Sequence, residues 1–367
     1  LAKDIFGPPA AREYLPFVSE AVRLASASAT EYEDRFDEFL SRLAFDMFCA
    51  LALGRQAQTT NERVAEARDL EFVQDSMRGF SLAGQLLTEP QWKFLPWGKM
   101  PGFMAHMQGA QKRGEELVAE LWDTLDAEQS EGSEGAASSS SYMAKLIRRG
   151  QLSRRDISET LMALLMAGVD TTSYVSAWLF LNLAQHPEKQ ERLRQELSSV
   201  LKGADLTEEV LGQLPYLKAC IRESHRHTPP GPLGGIRKLS KTAVFSGYEI
   251  PQGTIVIMNQ VAFQQDPKYL DRPGDFYPER WLPEEVSQRT SGDGTPSVLD
   301  HRLLSGPFGF GARMCLGARV ATLEIQAATC RLVQDYRLEL VPGQSWKLKQ
   351  GLFVKADPFP RLRLKRL

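Results

Sequence analysis

FGFGARMCLG, Phe308–Gly317, sets one cysteine among glycines, two residues after an arginine and just ahead of an apolar segment. Gly309, Gly311 and Gly317 mark a backbone that is neither regular helix nor strand. Three readings of Cys315 follow from the stretch itself. A buried structural thiol is the commonest fate of a free cysteine. An anion-binding loop is weaker, because the glycines do not fit GxGxxG and follow no clear strand. A metal-ligating thiolate is favoured by the helix start that follows and by Arg313 nearby.

The rest of the chain narrows the field. Its 367 residues carry a net charge of -2, which gives no reason to expect nucleic acid. Cys49, Cys220, Cys315 and Cys330 form no CxxC pair, so neither a zinc ribbon nor a redox dithiol is indicated, and the compartment reads as reducing. No apolar run approaches the roughly 20 residues of a bilayer span. The chain opens on Leu1, so a targeting or anchoring segment would lie upstream of it.

The first two thirds have helical texture. Apolar residues recur at helical spacing over Glu33–Gly54, Arg68–Leu87 and Met104–Asp126, then from about Ser153 to Gln185 and over Pro187–Leu201, with Pro187 suited to a first turn. Residues 127–141 read as a low-complexity surface loop within a single domain. Glu89–Phe103, with Trp92, Phe94, Leu95 and Trp97, reads as a loop packed on the core or a lid dipping into a membrane surface. Ala243–Phe263 reads as short strands and hairpins, and one more helix from Leu316 to about Gln334 precedes the strand-like YRLEL and RLRLKRL. The fold class is mostly α with a small β region.

Three other stretches stand out. Leu161–Leu181 is apolar nearly all round, so Asp170, Thr171 and Thr172 interrupt a buried helix. A threonine there can bond the carbonyl one turn back, whereas a buried carboxylate needs a partner or water. Gly168 would loosen that turn enough to admit a ligand or water. Glu223 and Arg226 share a helix face, a pair worth about 0.2–0.5 kcal/mol if it is only a surface one. DFYPERW, Asp275–Trp281, alone specifies nothing. A lone thiolate in a glycine loop also suits one axial ligand to a haem iron, whose macrocycle supplies four more.

Together these stretches resemble the cytochrome P450 family of haem-thiolate monooxygenases. FGFGARMCLG matches the haem loop FxxGxRxCxG at every fixed position. AGVDTT, Ala167–Thr172, resembles the oxygen-activation stretch. Glu223 and Arg226 resemble the ExxR pair, and PERW, Pro278–Trp281, the motif whose arginine joins it. The resemblance implies haem b (iron protoporphyrin IX) with Cys315 as the iron ligand, Phe308 near the sulfur, and Gly309, Gly311 and Gly317 in the loop. It implies propionate contacts from Arg313 and Arg237. The stretch from Arg226 to Arg237 is one residue longer than the family pattern. Glu223, Arg226 and Arg280 would form a buried charge network, and Asp170 and Thr171 would deliver protons in oxygen activation.

Within the family, YLKACIRESHR is most similar to the mitochondrial branch. Lys218 and Arg222 stand where that branch docks a [2Fe–2S] ferredoxin, itself served by a reductase. Arg319 matches the second of a paired arginine whose first member is Ala318 here, and Thr322 stands where an acidic residue is common. The resemblance implies O2, a small apolar, sterol- or steroid-like substrate, and peripheral association with the mitochondrial inner membrane, the endoplasmic reticulum membrane being the alternative. Substrate contacts would come from the start of the central helix, Pro230–Leu233, Leu352 and Phe353. The family's segment before Lys3 is missing from the chain, which on this reading is N-terminally truncated and would hold haem poorly alone. Rival readings keep the fold but rearrange peroxides, which Asp170–Thr171 argues against, or are catalytically degenerate.

Overall fold

The computed structural model describes residues 8–88, 98–131, 141–229, 231, 235–290, 297, 299–301, 306–350 and 353–367. The chain divides into two compact units, Leu1–Leu217 with Leu316–Leu367, and Lys218–Cys315, where the sequence reading expects one domain.

The first unit is helical. It contains α1 (Pro8–Ser26), α2 (Phe36–Leu53), α3 (Ala67–Thr88), α4 (Lys99–Glu131), α5 (Tyr142–Arg148), α6 (Arg154–Gln185), α7 (Pro187–Leu201) and α8 (Glu208–Gly212). The helix α9 (Pro215–His227) leads from this unit into the next. The ends follow local chemistry. Ser153 and Asp156 form a reciprocal capping box at the start of α6. Gly54, at φ 69°, closes α2 in the left-handed conformation that a residue without Cβ adopts freely. The Glu196 carboxylate on α7 accepts from the backbone N–H groups of Tyr216 (2.7 Å) and Leu217 (2.9 Å), satisfying donors at the start of α9.

Burial explains the arrangement around α6, which packs on α2, α3 and α4. Contrary to the sequence reading, which finds no apolar run of that length, it is long and apolar enough to cross a bilayer, yet 67% of its most apolar window is buried inside the protein, as befits a core helix. Phe36 meets Phe180 edge-on at 5.9 Å, joining α2 to α6 through aromatic faces. After the second unit the chain returns as α12 (Ala318–Asp335). Four strands follow in two antiparallel pairs: β5 (Tyr336–Leu340) with β8 (Leu362–Arg366), and β6 (Lys347–Gln350) with β7 (Val354–Asp357).

The second unit holds two antiparallel ribbons, β1 (Gly235–Lys238) with β4 (Ile255–Met258), and β2 (Ala243–Phe245) with β3 (Tyr248–Ile250). Ser246 and Gly247, at φ 50° and 86°, give the β2–β3 hairpin the turn handedness that matches strand twist. Two short helices, α10 (Gln260–Gln264) and α11 (Pro283–Gln288), flank a 3-10 turn at Pro278–Trp281.

Two expectations are corrected. The strand texture read through Phe263 ends at Met258, because the Asn259 side chain accepts from the Ala262 N–H (3.2 Å) and starts α10. The loop read from residue 127 begins later, since α4 runs to Glu131 through residues that include the good helix formers Ala, Glu and Gln. Residues 132–140, and Trp92, Phe94, Leu95 and Trp97 of the expected lid, lie outside the described residues.

Candidate active site

In the second unit, Glu223 organises a buried polar cluster. Its carboxylate accepts from Arg226 Nε (3.0 Å) and Nη2 (2.9 Å), Arg280 Nε (3.0 Å), Trp281 Nε1 (2.8 Å) and the Tyr277 N–H (2.9 Å). Glu223, Arg226 and Arg280 are 0%, 2% and 4% exposed, which removes the surface-pair reading. The remaining guanidinium donors meet backbone carbonyls. Arg226 reaches Gln264, Pro273 and Asp275, and Arg280 reaches Asp271 and Arg272. Two cations on one carboxylate leave a net positive charge, and those carbonyls offset it.

The Cys315 loop belongs to the same unit. Gly309 (φ 70°) and Gly311 (φ 69°) take left-handed backbone that a side chain would strain, and no heavy atom lies within 4 Å of where a Cβ would project from either. The Cys315 N–H donates to the Phe308 carbonyl (2.9 Å), drawing the loop closed across its glycines. Phe308, Gly309, Gly311 and Arg313 line a cavity of about 640 Å³, with Arg237 and Met258 contributed by the β1–β4 ribbon. Cys315 is exposed, whereas Cys49, Cys220 and Cys330 are buried. Burial pushes the Cys330 thiol up to about 12 and Cys49 well above its ordinary value, so neither is a ready thiolate.

This loop fits a haem. The open space beside two glycines lets backbone approach a flat macrocycle, and two exposed guanidinium groups on one cavity suit its propionates. One exposed cysteine in this loop suits a single ligand to an iron whose macrocycle would supply the others.

The first unit carries the acid–alcohol stretch. Asp170 is buried, which raises its carboxyl to about 7 while the charge of Lys355 pulls it down. Helix α6 is continuous through Gly168, so the expected loosened turn is not formed. Thr171 Oγ1 donates to the Ala167 carbonyl (2.7 Å), the bond one turn back that its sequence position allowed. Thr172 Oγ1 donates to Glu324 on α12 (3.3 Å), and burial raises that carboxyl to about 8 against the pull of the Thr172 hydrogen bond. Sequence reading missed Glu324, because α12 is of mixed polarity and a glutamate there looks like a surface residue.

Of the expected docking cations, Lys218 and Arg319 are exposed. Arg222 is engaged within its own unit, 3.8 Å from the Trp281 ring centroid and 3.7 Å from Asp300. Gly317 precedes α12 as its N-cap. Phe353 stacks on Phe80 (5.8 Å) and lies 5.8 Å from the Tyr174 ring. Pro230, Pro232, Leu233 and Leu352 lie outside the described residues.

The loop and the charge network define a haem-thiolate protein class, and comparison with known proteins agrees. A model of the Cytochrome P450 family matches residues 6–361, and the chain belongs to that family, whose cofactor is haem b. The chain is 31% identical over 326 residues to "Probable cytochrome P450 12a5, mitochondrial" of Drosophila melanogaster, covering 88% of this chain and 60% of the relative. It is 34% identical over 326 residues to "Sterol 26-hydroxylase, mitochondrial" of Homo sapiens, covering 88% and 59%. The chain thus spans about 60% of the length of such relatives. The crystal structure of the cytochrome P450DA heme domain shares its fold, with a TM-score of 0.78 at 21% identity, covering 99% of this chain and 75% of that one.

Proposed function

We propose that this chain is the core of a haem-thiolate monooxygenase that hydroxylates an apolar, sterol-like substrate with O2. Electrons would come from a [2Fe–2S] ferredoxin and its reductase at the mitochondrial inner membrane. The observation that carries the reading is the Phe308–Cys315 loop, whose exposed cysteine is drawn closed beside a cavity flanked by Arg237 and Arg313. Bound haem supplies oxygen activation, with a thiolate ligand favouring O–O cleavage. Cys315 would hold the iron, Arg237 and Arg313 the propionates, and Phe308 would shield the sulfur. Asp170 holds or releases a proton near neutral pH, as a buried acid at about 7 does, and Thr171 would pass it on from the same turn of α6. Identity to the mitochondrial relatives, one named a sterol hydroxylase, supports the compartment and the substrate class. The Asp170–Thr171 pair favours monooxygenation over peroxide rearrangement.

The test is the reduced, CO-bound spectrum of the full-length protein. A red-shifted Soret band is expected, and Cys315→Ala should abolish it. Retention of the band in the variant rejects Cys315 as the ligand.

A further inference from the structure

Asp170, Ser173, Tyr174, Ala177 and Trp178 form one stripe of α6 at helical spacing, and the stripe walls a second cavity, of about 420 Å³. Two further walls are α2 and α3, and β7 contributes Lys355. The charged groups that face Asp170 there can be followed one by one. Arg35 and Arg42 pair with Glu38 at 3.3 and 2.8 Å and with Glu62 at 3.8 and 2.9 Å, so two cations meet two carboxylates and these charges largely cancel. Arg78 is exposed to solvent, which screens it. Asp37 is partly buried, and burial raises its carboxyl while Lys355 opposes the rise. Lys355 is likewise the charge that acts on Asp170.

Lys355 sits on a strand fixed to α6. Trp178 Nε1 donates to the Val354 carbonyl (2.9 Å), and Phe353, two residues before Lys355, packs on Phe80 and Tyr174. Successive strand residues point to opposite faces, so the tether at Val354 and the cation at Lys355 are set by one piece of backbone.

We propose that Lys355 is a positioning residue for Asp170: its ammonium, on the wall of the same cavity, favours the carboxylate form against burial, and the β6–β7 hairpin thereby links packing at Phe353 to the acid on α6. A carboxyl buried without a cation keeps its proton. One ammonium on the cavity wall supplies the opposing field, and its strength depends on where the hairpin places it. Pressure on Phe353 from a bulky apolar ligand would move that cation and change how readily Asp170 gives up its proton. The proposal rests on the reading of Asp170 as a proton-holding group.

The test titrates the protonated-carboxyl infrared band of Asp170 in the full-length haem-loaded protein, the band being assigned by its loss in Asp170→Asn. Lys355→Met should raise the midpoint by about one pH unit, a tenfold gain in proton affinity, and Lys355→Arg should restore it. Phe353→Ala should also move the midpoint. An unmoved midpoint in Lys355→Met, or an equal rise in Lys355→Arg, overturns the role of the charge. An unmoved midpoint in Phe353→Ala overturns the link through the hairpin. Because the measurement needs no turnover, a shifted midpoint in a protein that does not hydroxylate would fail the monooxygenase reading and leave this one standing.

Discussion

Three side chains on adjacent positions of α6 meet three different fates. Asp170 faces a cavity, the Thr171 hydroxyl turns back onto its own helix, and Thr172 reaches Glu324 on α12. Asp170 is legible in the sequence because a lone carboxylate in an apolar helix has nowhere cheap to go. Glu324 is not, because only packing against α6 buries it. The sign of its pH effect follows from the raised value. Stability contributed by the protonated Glu324 is fully present below the ordinary carboxyl value of 4.5 and is lost as pH rises through about 8. Glu324→Gln should abolish that dependence. Unfolding free energies of wild type and variant should diverge between pH 5 and pH 8, by on the order of 3–5 kcal/mol in total. Parallel stability curves in equilibrium denaturation would place the Glu324 charge elsewhere than in the core.

At the scale of elements, α9 and the Pro278–Trp281 turn are joined by one carboxylate. Taken alone, Glu223 and Arg226 three apart read as an ordinary helix pair and DFYPERW as a featureless loop; only the family resemblance joined them into an expected buried network. Their meaning lies in the contact between them, which no local pattern encodes. Five donors converge on Glu223, more than the roughly four lone-pair directions a carboxylate offers, so two of them share acceptor sites. Glu223→Gln preserves the shape and strands two buried guanidinium charges. The expected cost is about 3–5 kcal/mol, seen as a lower denaturation midpoint and faster haem loss at unchanged pH. A variant within about 0.5 kcal/mol of wild type would mean that the carbonyls of Gln264, Pro273 and Asp275 alone suffice for Arg226.

For the whole molecule, the exposed cations are what a partner protein would meet. Lys218 is exposed, and Arg222 is partly buried with its guanidinium over Trp281 and near Asp300. The two residues therefore separate experimentally, although the sequence offers them as an equivalent pair. On the proposed docking role, Lys218→Gln should weaken binding of the proposed ferredoxin severalfold at low ionic strength, with the difference shrinking as salt screens the charge. Arg222→Gln should lower thermal stability more than Lys218→Gln does, because it removes a stacked and ion-paired group. Unchanged ferredoxin affinity of Lys218→Gln at low salt would reject the docking role.

The sequence by itself determined the family and the helical class and singled out Cys315, because these rest on local patterns. Glycines mark where backbone must turn, an apolar period of 3.6 marks the helices, and four separated motifs occur in one order. It also located Asp170, since a charge inside an apolar run is visible without coordinates. Tertiary structure decided which polar groups are buried together. The depth of the Glu223 cluster, the Thr172–Glu324 bond and the cavity shared by Lys355 and Asp170 all join residues far apart in the chain. Desolvation, which sets the protonation of such groups, is a property of their surroundings and not of their neighbours in sequence.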